Sequence, residues 1–128
     1  MALHKSDLMT GSGLSETLLW ENQDVTSSWG TNTVTLNDSI QNYDYLRFEY
    51  KKRPEADSDT LRYIFTKDDF ALTTTSNRLY ASCYDSNGYA RELYHNSNTR
   101  VVLGYCYRIN YQNSTQIKMI PYRIYGLK

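Results

Sequence analysis

The chain has 128 residues and a hydrophobic content of 40%, which suits one domain with its own core and leaves little room for two. Basic and acidic residues number 14 each, so the formal net charge is zero and no basic patch marks a nucleic-acid binder. No apolar run approaches the roughly 18 residues that span a bilayer, no signal peptide is evident, and two cysteines are too few for a disulfide scaffold. We therefore expect folding in a reducing cytosol, no nucleic-acid partner and no membrane insertion.

Tyrosine is the unusual residue of this chain, with 13 copies. Its ring is apolar and its hydroxyl is polar, a combination that suits half-buried sheet faces, interfaces and sugar-binding surfaces. Packing within sheets explains most of the tyrosines, so we expect only a few of them to form a ligand platform.

The first half of the chain begins with an arm and continues as short strands. Residues 1–13 are predicted to be a flexible arm or linker, because Gly11-Ser12-Gly13 is a flexible joint. Residues 14–128 are predicted to form a single domain. Short apolar or alternating runs bounded by turn residues predict strands in four segments, namely 14–21, 33–36, 45–52 and 60–67. We interpret 22–31 and 53–59 as loops, and 70–74 as a short edge strand.

The second half continues the same pattern. Segments 78–84 and 89–94 are predicted to form a hairpin closed by Asn87-Gly88, because both positions accept positive φ. Two more strands are expected on either side of Gly104, at 99–103 and 105–111. The closing segment 116–128 is predicted to be a long strand that pairs with 45–52, with Ile120, Tyr122 and Ile124 facing the core. Pro121 cannot donate to a ladder, so the strand is expected to be bulged or at an edge there.

About nine or ten short strands with regular turn signals and no convincing helix predict an all-β protein. We expect an antiparallel β-sandwich, jelly-roll-like in its connections.

Patterns for acid–base catalysis are weak. Hydrolysis of a polysaccharide requires two facing carboxylates, and the candidate pairs are Asp57 with Asp59 and Asp68 with Asp69. The first pair is expected in a solvated loop, and neighbours in a strand point to opposite faces.

Patterns for nucleophilic and metal chemistry are also weak. Nothing in the sequence places His95 beside Cys83 or Cys106, as a nucleophile and its base would require, and His4 lies in the arm. The cysteines and histidines lack the ligand spacing of a zinc site, and Asp85-x-Asn87-Gly88 lacks the further acidic ligands of a calcium loop. We expect no enzymatic activity, no metal and no cofactor.

Sugar binding is the best-supported specific hypothesis, because a saccharide favours an exposed aromatic ring beside amides, carboxylates or a guanidinium. Two places combine these groups: the first loop, which also carries Gln23, and the hairpin, where Tyr84 and Tyr89 are expected to be cross-strand neighbours. The predicted ligand-binding residues are Trp29, Asn32, Tyr84, Asn87, Tyr89, Arg91 and Tyr94. The alternative for Trp29 is a plug over the end of the sandwich, and for the tyrosines it is sheet packing or a subunit interface.

Self-association is the second specific hypothesis. A small sandwich has exposed edges, and a three-fold assembly would cover apolar and tyrosine-rich faces by symmetry. The row Tyr105, Tyr107 and Ile109 alternates with polar or small residues and is predicted to be the interface. The alternative is that this row faces the core.

The order of several short motifs resembles the small C-terminal domains of tail-fibre, baseplate and head-fibre proteins of tailed bacteriophages. The motifs are LLWEN at 18–22, TVTLNDSI at 33–40, NYDYLRFEY at 42–50, YCY at 105–107 and IPYRIYG at 120–126. The resemblance implies a β-sandwich at the tip or side of a fibre, usually trimeric, that serves in virion structure and host attachment. It carries over no catalytic residue and no ligand site.

These observations predict a non-enzymatic virion protein, a fibre-tip or receptor-binding domain that attaches to a saccharide or other receptor on the host surface. Its expected partners are two further copies in a homotrimer and other virion proteins. One alternative is a purely structural capsid-decoration or head-fibre protein. Another is the carbohydrate-binding module of an enzyme whose catalytic part is absent from this chain.

Overall fold

A computed structural model describes residues 13–111 and 113–128, so the predicted arm lies outside the described residues except for Gly13. Two antiparallel sheets pack as a β-sandwich, which confirms the predicted fold class. The described residues form nine strands, namely β1 (Glu16–Glu21), β2 (Asn32–Thr35), β3 (Tyr45–Lys51), β4 (Thr60–Thr66), β5 (Leu79–Asp85), β6 (Asn87–Ser97), β7 (Arg100–Arg108), β8 (Ser114–Thr115) and β9 (Ile120–Leu127). One sheet has the order β1-β9-β3-β4, and the other has the order β2-β7-β6-β5 with β8 also paired to β7.

The core lies between the sheets and follows the period-two alternation of the strands. On β3, Leu46, Phe48 and Tyr50 are fully buried, and Phe48 contacts Phe65 and Phe70 with ring centroids 6.0 and 5.1 Å away. Each large apolar side chain buried in this way stabilises the fold by about 1.5–3 kcal/mol.

The closing strand β9 lies between β1 and β3, and the predicted pairing with β3 is confirmed. The register between them shifts between Glu49 and Tyr50, which leaves Tyr122 as an extra residue beside Pro121. The predicted irregularity at Pro121 is therefore a β-bulge.

The bulge changes which side chains of β9 face the core. Ile124 is buried in the core as predicted, whereas Ile120 is buried but pairs with Lys51 and lies outside the core cluster. Tyr122 is only half-buried, and its ring lies under Lys51 and Arg123, 4.8 and 4.2 Å from its centroid. The prediction that Tyr122 joins the core row is wrong, because an inserted residue reverses the alternation.

Besides a 3-10 turn at Ile40–Asn42, the described residues contain a short α-helix, α1 (Lys67–Ala71), which replaces the predicted edge strand at 70–74. Thr66 ends β4 and caps the helix, since its hydroxyl accepts a hydrogen bond from the Asp69 amide at 3.1 Å. Asp68 and Asp69 lie in the first turn, where the helix dipole favours negative charge. The helix places Phe70 fully inside the sandwich, so the prediction of no helix is also wrong.

The β5–β6 hairpin turns one residue earlier than predicted. Ser86 carries the positive φ, 66°, and Tyr84 pairs with Gly88 across the ladder. Tyr89 instead pairs with Cys83. Tyr84 therefore points outward and is exposed while Tyr89 is buried, and the expected contact between these two tyrosines is wrong.

Strand β7 runs through Gly104 without a break, in contrast to the predicted pair of short strands. The β6–β7 register shifts here, so that Gly104 and Tyr105 together face Glu92 of β6. This is a second β-bulge, and it determines which side chains reach the outer face.

Candidate functional site

The outer face of the β2-β7-β6-β5 sheet carries most of the exposed aromatic surface. On the edge strand β5, Ala81 is buried and Cys83 is half-buried against the core, so Tyr80, Ser82 and Tyr84 point outward. The exposed fractions of Tyr80 and Tyr84 are 53% and 73%. This strand forms one wall of the candidate site.

The neighbouring strand β6 provides a low floor. Ladder pairing places Glu92 opposite Tyr80, Ala90 opposite Ser82, and Gly88 opposite Tyr84. Ala90 is small, so the floor there lies below the rings of the adjacent strand, whereas the Ile109 side chain covers Gly88, where an added Cβ would lie 3.1 Å from Cδ1 of Ile109.

Strand β7 and the residue after it form the second wall. Tyr107 pairs with Ala90, and the amide of Ile109 donates to the carbonyl of Gly88 at 2.8 Å. The bulge turns Tyr105 toward the same side, and its ring meets that of Tyr107 edge-on at 6.3 Å. The two walls are two strand spacings apart, about 10 Å, and the floor is about 13 Å long. We call this surface the tyrosine trough, made of Tyr80, Tyr84, Gly88, Ala90, Glu92, Tyr105, Tyr107 and Ile109.

Glu92 places a carboxylate at one end of the trough. Its Oε2 accepts from Nη1 of Arg78 at 2.6 Å, and Arg78 also lies over the ring of Tyr94 at 4.9 Å. A Cβ at Gly104 would lie 3.1 Å from Oε2 and 3.0 Å from Cβ of Glu92, so glycine leaves room for this side chain. Burial, and then the charge of Glu92, raise the pKa of Tyr107. Its hydroxyl is therefore neutral at pH 7 and can both donate and accept.

The trough unites parts of the two residue sets predicted from the sequence. Tyr84 from the ligand set lies on it together with all three predicted interface residues, and Tyr94 lies half-buried beside Arg78. The sequence prediction missed Tyr80, Glu92 and Arg78. The alternation of Tyr80, Ser82 and Tyr84 was a signal for the first of these.

Arg91 and Tyr89 cannot contact a ligand on this surface, because both face inward and are buried. The Arg91 side chain has no exposed surface, and its three nitrogens donate to five backbone carbonyls. The acceptors and distances are Met119 (2.6 Å), Gly30 (2.8 Å), Gly104 (2.7 Å), Trp29 (2.5 Å) and Lys118 (3.2 Å). Their prediction as ligand-binding residues is therefore corrected: Arg91 joins two loops to the β7 bulge from inside.

Trp29 of the first loop, also predicted to bind a ligand, is not an exposed aromatic ring. Trp29 is half-buried against the core, its Nε1 donates to the carbonyl of Leu103 at 2.9 Å, and its ring meets Trp20 edge-on at 5.8 Å. This is the plug predicted as the alternative. Asn32 is exposed and pairs with Leu103 from β2, on the far side of β7 from the trough floor.

Asn87 lies at the tip of the β5–β6 hairpin. Its Oδ1 accepts from Nη2 of Arg108 at 2.6 Å, and Arg108 stacks on Tyr111 at 4.0 Å. The amide oxygen therefore already has a partner within the protein.

The remaining residues considered for catalysis lie apart from the trough. Burial raises the pKa of Cys106 to about 11 and also raises the pKa of Cys83, so both thiols are protonated at neutral pH. Nδ1 of His95 lies 2.8 Å from the Thr73 hydroxyl, and burial lowers the pKa of that histidine. Asp57 is exposed in the 53–59 loop.

Two absences hold for the part of the chain that the structure describes. Within it, no three metal-ligating side chains gather into a group. Nor is any of its helices long and apolar enough to cross a membrane.

No protein-family model matches the chain, and no curated protein is significantly similar to it.

Proposed function

We propose that this chain is a non-enzymatic attachment domain of a bacteriophage virion, which binds a saccharide or other receptor on the host surface through the tyrosine trough. The observation that carries the proposal is the concentration of outward tyrosines on one sheet face around a paired carboxylate. The order of motifs shared with phage fibre domains supports the virion assignment.

The physical argument for binding is the free energy gained when a ligand covers the trough. Tyr80, Tyr84 and Tyr105 expose apolar rings to water, and covering such rings is favourable by about 25 cal/mol per Å². Tyrosine hydroxyls and the Glu92–Arg78 pair supply polar contacts among the rings, as ligand sites usually require. Glu92 is paired with Arg78 and the two thiols are protonated, so these groups are better suited to binding than to catalysis.

The test is adhesion of the full chain to bacterial cells and to an array of bacterial surface glycans. We expect the double substitution Tyr80→Ser with Tyr105→Ser to lower adhesion at least tenfold, because it removes one ring from each wall. Leu72→Ser is the matched control, since Leu72 is 69% exposed and lies outside the trough. Equal adhesion by the double variant would refute the trough as the receptor surface. Tail or capsid genes beside the coding gene would support the virion assignment.

The same face favours a second candidate, a purely structural virion protein. Ile109 and Tyr105 are 45% and 40% exposed, and a homotrimer could bury them between copies. A mass in solution near three times the 15.0 kDa of one chain, lost in Ile109→Ser, would favour this candidate. A monomeric mass would leave the trough open to a receptor.

A further inference from the structure

We propose that Glu92 and Arg78 form a hydroxyl-binding subsite at one end of the tyrosine trough, and that its ligand is a neutral pyranose sugar. This inference rests on the proposed function and specifies the receptor chemistry that the trough accepts.

The pair retains free polar atoms that face outward. Oε2 of Glu92 and Nη1 of Arg78 bond each other, and Nε of Arg78 donates to the carbonyl of Thr75 at 2.7 Å. Oε1 of Glu92 and Nη2 of Arg78 have no partner among residues 13–111 and 113–128. Among those residues, the Tyr50 hydroxyl is the side-chain polar atom that is both fully buried and without a partner. Oε1 of Glu92 also has no partner but is not fully buried, so solvent reaches it.

One acceptor beside one donor is the arrangement that a hydroxyl group fits. A sugar hydroxyl can donate to Oε1 of Glu92 and accept from Nη2 of Arg78, and both bonds are charge-assisted. Neighbouring rings and the 10% exposure of the Glu92 side chain keep the pair poorly hydrated, which strengthens such bonds. Arg78 is already fixed by Thr75 and Tyr94, so little side-chain freedom is lost on binding.

The tyrosine rings near Glu92 are placed to contact the apolar face of a pyranose. Tyr80 pairs with Glu92 from β5, and Tyr105 lies in the bulge that faces Glu92 from β7. A sugar whose hydroxyls reach the carboxylate therefore lies between a strand that carries Tyr80 and a strand that carries Tyr105, and an aromatic ring can contact its apolar face.

The charges of the pair select a neutral ligand. Arg78 and Glu92 cancel each other, so a sugar carboxylate would approach Glu92 without a spare cation in the pair. An amino sugar would compete with Arg78 for the same carboxylate. A neutral pyranose makes both hydrogen bonds without breaking the ion pair.

The experiment is a chemical-shift titration of the full chain with methyl glucoside, methyl galactoside, methyl mannoside and glucuronic acid. We expect at least one neutral glycoside to shift the signals of Glu92, Tyr80 and Tyr105, with glucuronic acid at least tenfold weaker. E92Q should weaken the neutral glycoside at least tenfold. E21Q is the matched control, because Glu21 accepts from Arg123 at 2.7 Å in a comparable ion pair on the outer face of the other sheet.

Gly104→Ala provides a variant that removes no polar atom. Its added methyl would lie 3.1 Å from Oε2 of Glu92 and should displace the carboxylate, so we expect binding to weaken severalfold. Thermal unfolding of each variant checks that the fold is retained. Unchanged binding by E92Q, or equal binding of glucuronic acid, would overturn the subsite. A wild-type chain that adheres to cells through the trough but binds none of these glycosides would also overturn it and leave the proposed function standing.

Discussion

Replacing Arg91 should strongly destabilise the fold. It is fully buried in β6, and its guanidinium donates to carbonyls in two loops and in the β7 bulge. Burial lowers its pKa from the ordinary value, yet an arginine remains charged at neutral pH. We predict that Arg91→Met destabilises the protein by about 3–5 kcal/mol.

The magnitude follows from two opposing effects. A hydrogen bond from a charged donor contributes about 1.5–3 kcal/mol net, and five carbonyls lose such a donor in Arg91→Met. Against this, the substitution removes a buried charge whose desolvation costs several kcal/mol. Methionine fills much of the volume, so the remaining loss comes mainly from carbonyls left without donors. Arg91→Lys has three donors and should lose less.

The assay is urea unfolding followed by tryptophan fluorescence, with Arg100→Met as the control. Arg100 lies exposed at the start of the neighbouring strand, so its substitution should change the unfolding free energy by no more than about 0.5 kcal/mol. A loss below about 1 kcal/mol for Arg91→Met would show that the carbonyls find water or other donors, and the reasoning would be refuted. Because the Gly104 carbonyl is one acceptor, the variant should also loosen the trough floor.

Three further outcomes follow from the same structure. Gly126→Ala should destabilise by about 1–3 kcal/mol in urea unfolding, because its Cβ would overlap the Tyr43 ring, whereas Gly30→Ala, with its nearest contact at 3.9 Å, should change little. Cys106 should not react with a thiol reagent at pH 7 until the protein unfolds, since a pKa of about 11 keeps it protonated; prompt reaction would contradict its burial. Hydrogen bonds, first that from the Tyr43 hydroxyl, lower the pKa of Asp38, so its contribution is present above the unfolded pKa of about 3.9 and is lost as pH falls through the folded value. Asp38→Asn should flatten the acid side of a plot of urea midpoint against pH, and an unchanged slope would count against this.

Local periodicity was enough to predict the sheets but not the faces of every strand. The alternation of Leu46, Phe48 and Tyr50 is uninterrupted, and both the strand and its pairing with β9 were predicted. Single extra residues at Tyr122 and in the Gly104 bulge reverse the alternation. Such a shift depends on the partner strand, which a single segment does not reveal.

The prediction of the site residues was right for some and wrong for others, because local sequence does not determine which side chains are exposed. Tyr84 and Tyr105 were singled out as aromatic residues on strands, and their exposure on one face depends on the turn at Ser86 and on the β7 bulge. The sequence predicts Arg91 as a ligand residue because its guanidinium lies among hairpin tyrosines, yet the side chain is buried. Its acceptors are backbone carbonyls, which leave no mark in the side-chain sequence.

The two outer faces of the sandwich differ in what a partner could gain from them. On the β1-β9-β3-β4 sheet, Arg47 bonds Glu16 at 2.6 Å and Glu49 at 3.0 Å, and Arg62 bonds Glu49 at 3.2 Å. Arg47 also covers the ring of Tyr125 at 4.6 Å. Covering that face would desolvate charges that already have partners, which costs free energy and adds few new bonds. The tyrosine trough has the opposite balance, with exposed rings and free polar atoms. Whether the partner is a receptor or another copy, we therefore expect it on the trough.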